Sequence, residues 1–269
     1  MSKKNVVFIV DIELKGTQKD VGRWAKSRSN PYKFAIKSWD KWCKKNDCIF
    51  VDLTEPIEKD LNRFRPNWQK AIFVFDELER RNIDYNKIAL IDSTAIPHWD
   101  CPNFFNLTDD RFTAWRDVDN MKWVYDSVVG YKDFFNGFKL DSMKYINSGF
   151  MIFNKSHREF FQSLKQLYYD NVEKFMELQD VKVRKGNDQT PINYWLQIND
   201  IDVNLDLPIA YNLTHMNRKE MFSYNWQLDE DKTPFFLKYG YLWRFTGMAK
   251  DQRTDLMSQL WNAIGGKYV

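Results

Sequence analysis

Short apolar runs alternate with amphipathic stretches over the first third of the chain. The runs Val6–Val10 and Lys87–Asp92 are dominated by aliphatic, often β-branched residues, which is typical of buried parallel strands. Residues 48–52 predict a third strand, whereas residues 31–46 and 66–82 each begin with proline and carry apolar side chains at helical spacing. The resulting order, β-α-β-α-β, predicts a parallel sheet with crossover helices.

The pattern is less regular after residue 92, where aromatic residues and polar loops alternate up to residue 131. Beyond it we predict, in chain order, a strand at 145–154, an amphipathic helix at 157–177, a short helix at 191–197, edge strands at 201–203 and 208–211, and a helix at 249–265. No linker rich in proline, glycine or serine separates these elements. The sequence therefore predicts a single domain over residues 1–269.

The composition favours a globular protein with a substantial core. Apolar residues make up 43% and charged residues 29% of the chain, and the net charge is only +3. Such a small net charge does not indicate a nucleic-acid partner, but it is compatible with a local phosphate-binding site. Lysines recur every four residues from Lys33 to Lys45 on the first predicted helix, and we interpret them as a solvated face in preference to a phosphate site. Aromatic residues reach 17%; most fill cores, but Trp and Tyr also suit sugar rings.

Cysteine usage and hydropathy indicate the compartment. The three cysteines form no CxxC pair, which is typical of free thiols in a reducing environment. The apolar run Val6–Val10 is too short for the core of a signal peptide, and no apolar stretch approaches the length of a membrane span. We therefore expect a cytoplasmic protein without a transmembrane segment.

One predicted strand ends on a carboxylate. Asp92 closes the run Lys87–Asp92, and the chain turns at once through Ser93 and Thr94. Open α/β sheets bind ligands at the carboxyl edge of their strands, so Asp92 is a candidate ligand-binding residue. The simpler alternative is that Asp92 caps a turn at the strand end.

Three later stretches carry residue types that suit a sugar or a phosphate. Asn147-Ser148-Gly149 combines an amide that both donates and accepts hydrogen bonds with small residues that let a sugar ring approach closely. Asp188-Gln189 offers a carboxylate and an amide, and Trp243–Lys250 includes Arg244, whose guanidinium can bind phosphate oxygens. Structural alternatives are a bulged strand start for the first stretch and a helix N-cap for the second.

Together with Asp92-Ser93-Thr94, these stretches resemble GT-A-fold glycosyltransferases, and most closely glycosyltransferase family 8, the group that includes glycogenin and bacterial lipopolysaccharide hexosyltransferases. The resemblance spans residues 6–250. It implies an α/β fold of the GT-A, Rossmann-like type: a mostly parallel central sheet flanked by helices, with a smaller mixed or antiparallel C-terminal part. It also implies transfer of a hexose from UDP-glucose or UDP-galactose to a hydroxyl of a carbohydrate, lipid-linked or protein acceptor, with retention of configuration.

The resemblance also implies roles for individual residues. Asp188 and Gln189 would lie beside the anomeric carbon and stabilise the developing positive charge, the demand that glycosidase carboxylates meet. Asp11 and Glu13 would bind the donor near its nucleobase, and Lys70 would bind a phosphate or the sugar. The DxD-like segment would contribute Asp92, Ser93 and Thr94, and the sugar would be surrounded by Asn147, Ser148 and Gly149. The diphosphate would be bound by Arg244, Gly247 and Lys250. For Lys70 an ordinary surface lysine is an equally good interpretation.

Two departures from the family pattern put the family's divalent cation in doubt. The second DxD carboxylate is replaced by Thr94, and Arg244 stands where the family has a metal-binding histidine. A hydroxyl is a poor ligand for Mn²⁺ or Mg²⁺, and a guanidinium is none. We therefore hypothesise that Arg244 and Lys250 neutralise the donor diphosphate, with a metal weakly bound at Asp92 or absent.

Other interpretations stay open. A divalent cation could still be held by Asp92 with His215 or Asp100. Asp188 could act as the base of an inverting enzyme. A nucleotidyltransferase that makes a nucleotide sugar would favour a glycine-rich basic loop after the first strand, of which Lys15-Gly16-Thr17 is a thin version. The last alternative is a catalytically silent sugar-binding protein.

Overall fold

The structure is a computed structural model, and it describes residues 3–12, 32–117, 120–212, 220, 223 and 225–268. Of the predicted site residues, Glu13, His215 and the side chain of Lys250 lie outside this set. The loop Lys15-Gly16-Thr17 lies outside it as well.

The described chain contains strands in two sheets. The strands are β1 (Val6–Val10), β2 (Ile49–Leu53), β3 (Lys87–Asp92), β4 (Ala95–Pro97), β5 (Phe112–Arg116), β6 (Ile146–Asn154), β7 (Val203–Asn204) and β8 (Leu242–Arg244). Six of them form the central sheet in the order β2-β1-β3-β6-β5-β7. Five of these six run in one direction, and β6 runs against both of its neighbours. The predicted α/β class, with a mostly parallel central sheet, is confirmed.

Helices cover both faces of the sheet. They are α1 (Tyr32–Lys45), α2 (Pro66–Ile72), α3 (Val74–Arg80), α4 (Met121–Tyr131), α5 (Arg158–Asp170), α6 (Val172–Glu177), α7 (Gln189–Ile198) and α8 (Lys250–Ile264). Two helices that the pattern predicts as continuous are broken, one at Phe73 and one at Asn171. The side-chain amide of Asn171 donates to the carbonyl of Leu167 at 3.0 Å, which satisfies one of the carbonyls left open by the break.

Alternation along the strands divides the interior into two cores. On β1, Val6 and Phe8 belong to a first core with Trp68, whereas Val7 and Ile9 belong to a second core on the other face. All four strand residues are fully buried, and each such side chain contributes about 2 kcal/mol through burial. A strand buried on both faces reads as a continuous apolar run, which is why β1 could be predicted residue for residue.

The smaller sheet joins the segment after β3 to the C-terminal part of the chain. β4 and β8 pair antiparallel, with Ala95 opposite Arg244, which confirms the smaller antiparallel part. The indole of Trp39 on α1 donates to the carbonyl of Ala95 at 2.9 Å, so this sheet is fixed to the second core. As β4 follows Asp92 closely, the pairing brings the C-terminal stretch to the carboxyl edge of the central sheet.

Other parts of the second half differ from the predictions. Residues 208–211 are not a strand: Ile209–Tyr211 is a single helical turn, and Pro208 before it cannot donate a ladder hydrogen bond. Within the predicted loop region, β5 and α4 were missed, because short apolar runs between polar neighbours give a weak periodic signal. No helix among the described residues combines the length and the apolar character that crossing a bilayer requires.

A bulge interrupts the pairing of β5 with β6. Thr113 and Ala114 pair with Ile152 and Met151, but the next residue, Trp115, pairs with Asn147. Residues 148–150 of β6 therefore have no partner on β5. Bulges of this kind bend a strand and free backbone groups, and they are frequent beside binding sites.

Candidate active site

Most of the predicted site residues meet at the carboxyl edge of the central sheet. Asp92 ends β3, and Asn147-Ser148-Gly149 begins β6. Because β6 runs against its neighbours, its first residues lie at the edge where the other strands end. Asp188 and Gln189 start α7, and Arg244 ends β8. Four stretches that are far apart in sequence thus form one cluster with Lys70 of α2.

Lys70 links three of these stretches. Its ammonium donates to Asp92 Oδ1 at 2.6 Å and to the carbonyl of Ser148 at 3.0 Å, and it lies 3.4 Å from Asp188 Oδ2. The side chain is 4% exposed, so the surface interpretation is wrong. Burial lowers the pKa of Lys70, but the charges of Asp188 and Asp92 more than offset this and raise it above its usual value. Lys70 is therefore a buried, fully charged cation.

Asp92 faces cations on both carboxylate oxygens. Oδ1 accepts from Lys70, and Oδ2 lies 3.5 Å from Nη2 of Arg244. Burial raises the pKa of Asp92, but the charges of Lys70 and Arg244 outweigh it and hold that pKa below its ordinary value. Asp92 is ionised at neutral pH and is not a simple turn cap.

Arg244 is buried beside the bulge of β6. Its side chain is 1% exposed; Nη1 donates to Asn147 Oδ1 at 2.6 Å and to Asn212 Oδ1 at 3.3 Å. Its Nε is buried without a hydrogen-bond partner within the described residues. A Cβ atom on Gly149 would lie 1.9 Å from Arg244 Nη2 and 2.4 Å from Asp92 Oδ2. Only glycine lets the guanidinium and the carboxylate come this close to the strand.

Site side chains satisfy the backbone that the bulge frees. The Ser148 amide donates to Gln189 Oε1 at 3.3 Å, and its carbonyl accepts from Lys70. The Gly149 amide donates to Asn147 Oδ1 at 2.9 Å. The bulge and the candidate site are thus one structure, so the bulged strand start and the functional interpretation of this stretch are compatible.

Asp188 is held by polar groups from two other elements. Oδ1 accepts from the Asn67 amide at 2.9 Å, and Oδ2 accepts from the Ser148 hydroxyl at 3.0 Å. Asp188 occupies the N-cap position of α7, but its side chain makes no capping hydrogen bond, so the N-cap interpretation is wrong for its carboxylate. The carboxylate is instead fixed towards Lys70 and the start of β6.

Asp117 is a site residue that the sequence analysis missed. It follows β5 directly, and its Oδ2 accepts from Gln189 Nε2 at 2.8 Å and from Asn147 Nδ2 at 3.1 Å. It thereby orients two amides predicted to bind the donor sugar. The available signal was the same as for Asp92, a carboxylate at the end of a strand, but β5 itself was not predicted.

Arg253 is a second missed residue. Its guanidinium donates to the carbonyls of Phe245 at 2.7 Å and Met248 at 3.2 Å, and to the Tyr32 hydroxyl at 3.0 Å. The side chain is 8% exposed, and it forms no ion pair with a carboxylate of the described chain. Arg253 therefore fastens the loop after β8, which contains Gly247 at φ +65°, to the start of α1.

The remaining predicted residues lie at the same edge but outside this cluster. Asp11 follows β1, whose last residue, Val10, pairs with Asp92. The pKa of Asp52 on β2 is raised to about 6, mainly by burial and secondly by the charge of Asp11. Ser93 and Thr94 turn the chain into β4; the Thr94 carbonyl accepts from the Phe245 amide at 2.9 Å. The Thr94 hydroxyl is buried without a hydrogen-bond partner within the described chain.

The described residues do not fit a divalent-cation site around Asp92. Both of its oxygens face cationic side chains, and no group of three His, Cys, Asp or Glu side chains suited to a metal occurs in the described ranges. Asp100, the alternative ligand, pairs instead with Lys45 at 3.2 Å, at the far end of α1. Hard cations need several oxygen ligands, whereas this donor set supplies positive charge of its own.

No protein-family model and no curated protein sequence matches the chain. Among solved structures, it is similar to a glycosyltransferase involved in the glycosylation of the major capsid of PBCV-1. The TM-score is 0.54 with 8% identity, over 94% of this chain and 98% of that one. The chain shares its fold with that glycosyltransferase. The likeness confirms the GT-A-like architecture that the motifs imply, while membership of family 8 stays a prediction.

Two further structures give TM-scores below 0.5. The bifunctional glycosyltransferase WbbM gives a TM-score of 0.49 with 13% identity, over 98% of this chain and 50% of that one. Mouse xyloside xylosyltransferase 1 gives 0.46 with 10% identity, over 92% and 98%.

Proposed function

We propose that this chain is a glycosyltransferase that moves a hexose from a nucleotide sugar to an acceptor hydroxyl. The observation that carries the proposal is the cluster of Lys70, Asp92, Asp188 and Arg244 around Gly149 at the carboxyl edge of the sheet. It combines fixed positive charge with carboxylates and amides at the edge where open α/β sheets bind ligands. The fold shared with a solved glycosyltransferase adds support.

The charges suit a diphosphate leaving group. In glycosyl transfer from a nucleotide sugar, the bond between the anomeric carbon and the diphosphate oxygen breaks, and negative charge builds up on that oxygen. Lys70 and Arg244 are buried cations, held in position by neighbouring groups, that can stabilise this charge. In this proposal Asn147 and Gln189, whose amides Asp117 orients, hold sugar hydroxyls.

We favour retention of configuration in this proposal, with a UDP-hexose as donor. The acceptor hydroxyl forms its bond to the anomeric carbon on the face that the diphosphate leaves, and its proton passes to the departing phosphate oxygen. Such a step needs no separate general base. Asp188, held by Asn67 and Ser148, would stabilise the positive charge at the anomeric carbon.

The proposal includes donor binding without a divalent cation. Arg244 replaces the family's histidine and approaches Asp92, so its guanidinium and the Lys70 ammonium supply the charge that Mn²⁺ or Mg²⁺ would otherwise provide. Arg244 and Lys70 each pair with a carboxylate in the structure. A bound diphosphate would therefore compete with Asp92 for them.

Hydrolysis of UDP-glucose and UDP-galactose without acceptor tests the proposal. We expect the wild-type chain to release UDP slowly in excess EDTA, and Asp188→Asn to lower the rate at least about 100-fold because a fixed charge at the reacting centre is lost. The matched control is Asp133→Asn, which alters an exposed carboxylate outside the site and should leave the rate unchanged.

Other outcomes separate the alternatives. Binding of a UDP-sugar without any turnover, even with a panel of acceptors, would indicate a silent sugar-binding protein. Turnover that requires pyrophosphate or a nucleoside triphosphate would indicate a nucleotidyltransferase. Complete loss of activity in EDTA with rescue by Mn²⁺ would overturn the metal-free part and leave sugar transfer standing.

A further inference from the structure

The positive charge of the chain is concentrated on one helix. α1 carries five lysines and one aspartate, a net charge of +4, whereas the whole chain has a net charge of only +3. The other elements together are therefore almost neutral. A local excess of this kind attracts anions to one face of the molecule, even when the overall charge is small.

Four of these lysines line a groove. The groove has a volume of about 880 Å³ and runs between Lys37, Lys41, Lys44 and Lys45 of α1 and the C-terminal residues from Trp261 onwards. Asp40 is the acidic residue of its lining. The lysine stripe is thus one wall of a concave surface, and not only a solvated helix face.

The ion pairs already present in the groove are weak. Lys44 pairs with Asp40 at 2.6 Å and Lys45 with Asp100 at 3.2 Å, and all four side chains are at least 43% exposed. Exposed pairs of this type contribute little to stability and exchange readily with other anions. Lys37 forms no ion pair with any described residue. Lys37, Lys44 and Lys45 can therefore turn towards an external anion.

The floor of the groove limits what can bind there. Trp261 stacks with Phe34, with ring centroids 5.1 Å apart, and with Tyr268, 5.3 Å apart. Because the indole already stacks with two rings of the chain, it is less suited to the stacking with nucleobases that binding of single-stranded nucleic acids requires. None of the exposed large apolar side chains of the described chain belongs to this groove, so it offers nothing to insert into a bilayer. Recognition here therefore depends on charge.

The groove shares α1 with the surroundings of the candidate site. Tyr32, the first residue of α1, accepts a hydrogen bond from Arg253, which holds the loop after β8. The groove begins at Lys37, about one and a half turns further along the helix, and continues to Lys45 at the end of α1 that is remote from Asp92. Because the 14 residues of α1 extend about 20 Å, the length of roughly four sugar residues, a longer oligosaccharide that occupies the lysines can extend past Tyr32 towards the loop after β8.

We propose that the groove between α1 and the C-terminal residues binds the anionic groups of an acidic oligosaccharide, and that this oligosaccharide is the acceptor class of the enzyme. The second part rests on the proposed function. A carboxylate on each sugar of such a chain would meet successive lysines of α1, which lie one helical turn apart.

Binding of oligogalacturonate hexamer, compared with the neutral maltohexaose, tests the proposal by calorimetry at low salt. We expect the wild-type chain to prefer the acidic hexamer, and the double variant Lys37→Glu/Lys44→Glu to bind it at least about tenfold more weakly. The milder Lys37→Gln/Lys44→Gln should show a smaller loss, with unchanged thermal unfolding. The control Lys132→Glu/Lys139→Glu makes the same change of net charge on exposed lysines outside the groove and should bind like wild type.

Several results would overturn the groove as a glycan site. They are equal affinity for both hexamers, an equal loss in the control variant, and tighter binding to phosphatidylglycerol vesicles or to single-stranded DNA that the groove variants abolish. Donor hydrolysis, measured on the same variants, keeps the two proposals apart. If the groove variants hydrolyse UDP-sugars normally but lose transfer to the acidic hexamer, both proposals hold. If the hexamer binds and no nucleotide sugar is ever turned over, the proposed function fails and the groove remains a binding site.

Discussion

At the scale of single residues, the candidate site depends on how closely two opposite charges approach one strand. Arg244 and Asp92 leave no room for a side chain at position 149, because the first atom of any side chain would lie 1.9 Å from the guanidinium. Arg244 is fully buried and has little freedom to withdraw. The glycine therefore serves the geometry of the neighbouring charges, beyond any contact with a sugar.

Gly149→Ala should separate Arg244 from Asp92. We expect a loss of about 1 to 3 kcal/mol in the free energy of unfolding, the usual cost of inserting a methyl group into a packed region, and weaker UDP binding. Urea unfolding and calorimetry measure the two effects. The control Gly266→Ala adds a methyl group in open space and outside the left-handed region of φ. An alanine variant at 149 with wild-type stability and UDP affinity would contradict the described packing.

Asp52→Asn should stabilise the chain at neutral pH and not in acid. Burial, helped by the charge of Asp11, raises the pKa of Asp52 from 3.8 to about 6, so the folded chain loses stability as pH rises from about 4 to 6 and stays constant above. Asparagine carries no charge and avoids this loss. Because solvent reaches part of the carboxylate, we expect a gain of only about 1 kcal/mol above pH 6 and none below pH 4.

Urea unfolding of both proteins at pH 4 and pH 8 measures this difference. An equal change at the two pH values would mean that asparagine acts through packing or hydrogen bonding. The pKa of Asp52 would then be near its ordinary value.

Single residues could be predicted where they stood in a recognisable stretch, and were missed elsewhere. Asp92, Gly149 and Asp188 come from stretches with a distinctive local composition, and the structure brings them together. Asp117 and Arg253 stand in ordinary surroundings. Asp117 bonds to Asn147 and Gln189, which are 30 and 72 positions away, and Arg253 reaches Tyr32, 221 positions away. Contacts over such separations have no local pattern that a single sequence could reveal.

At the scale of elements, the direction of β6 determines which residues reach the site. The start of this strand lies where the neighbouring strands end, so Gly149 and Asp92 are neighbours in space. Periodicity predicts that a strand exists and not which way it runs. The sequence therefore predicted the strand at 145–154 well, but its place in the sheet only through the family resemblance.

The loop after β8 should depend on Arg253. Arg253→Met removes hydrogen bonds to two carbonyls and one hydroxyl, so residues 245–248 and the start of α1 should exchange their amide hydrogens faster, while β3 stays protected. Hydrogen exchange followed by mass spectrometry measures this. Arg253→Lys keeps the charge but reaches fewer acceptors, and should show an intermediate effect. Unchanged exchange at 245–248 in the methionine variant would show that the loop is held by other contacts.

At the scale of the whole molecule, the small sheet shares the second core with one face of the central sheet. The second core contains Trp39 from α1, Trp243 from β8 and Leu260 from α8, so the small sheet has no core of its own. The two-core arrangement follows from the alternation of apolar residues in β1 and β3 and was predictable. The closure of the second core by the C-terminal elements was not, because β4 and β8 are only three residues long.

The chain should therefore unfold as one cooperative unit. We expect the midpoints in urea to coincide when unfolding is followed by tryptophan fluorescence and by far-ultraviolet circular dichroism, because no element can leave without opening a shared core. An early transition confined to the fluorescence of Trp243, isolated by replacing the other tryptophans near β8, would divide the chain into two units and contradict the single domain.

The bulge in β6 also restricts how the length of this segment can change. Beyond it, Met151 and Phe153 face the first core, and Phe150 and Ile152 face the second. Loss of one residue from positions 148–150 would turn every following side chain of β6 to the opposite face. Loss of two residues would return these side chains to their original faces, but it would shorten the bulge that contains Ser148 and Gly149. The parity of the strand therefore excludes changes of one residue in the length of this segment, and changes of two residues alter the bulge. Relatives of this chain should keep both the length of the segment and the glycine at position 149.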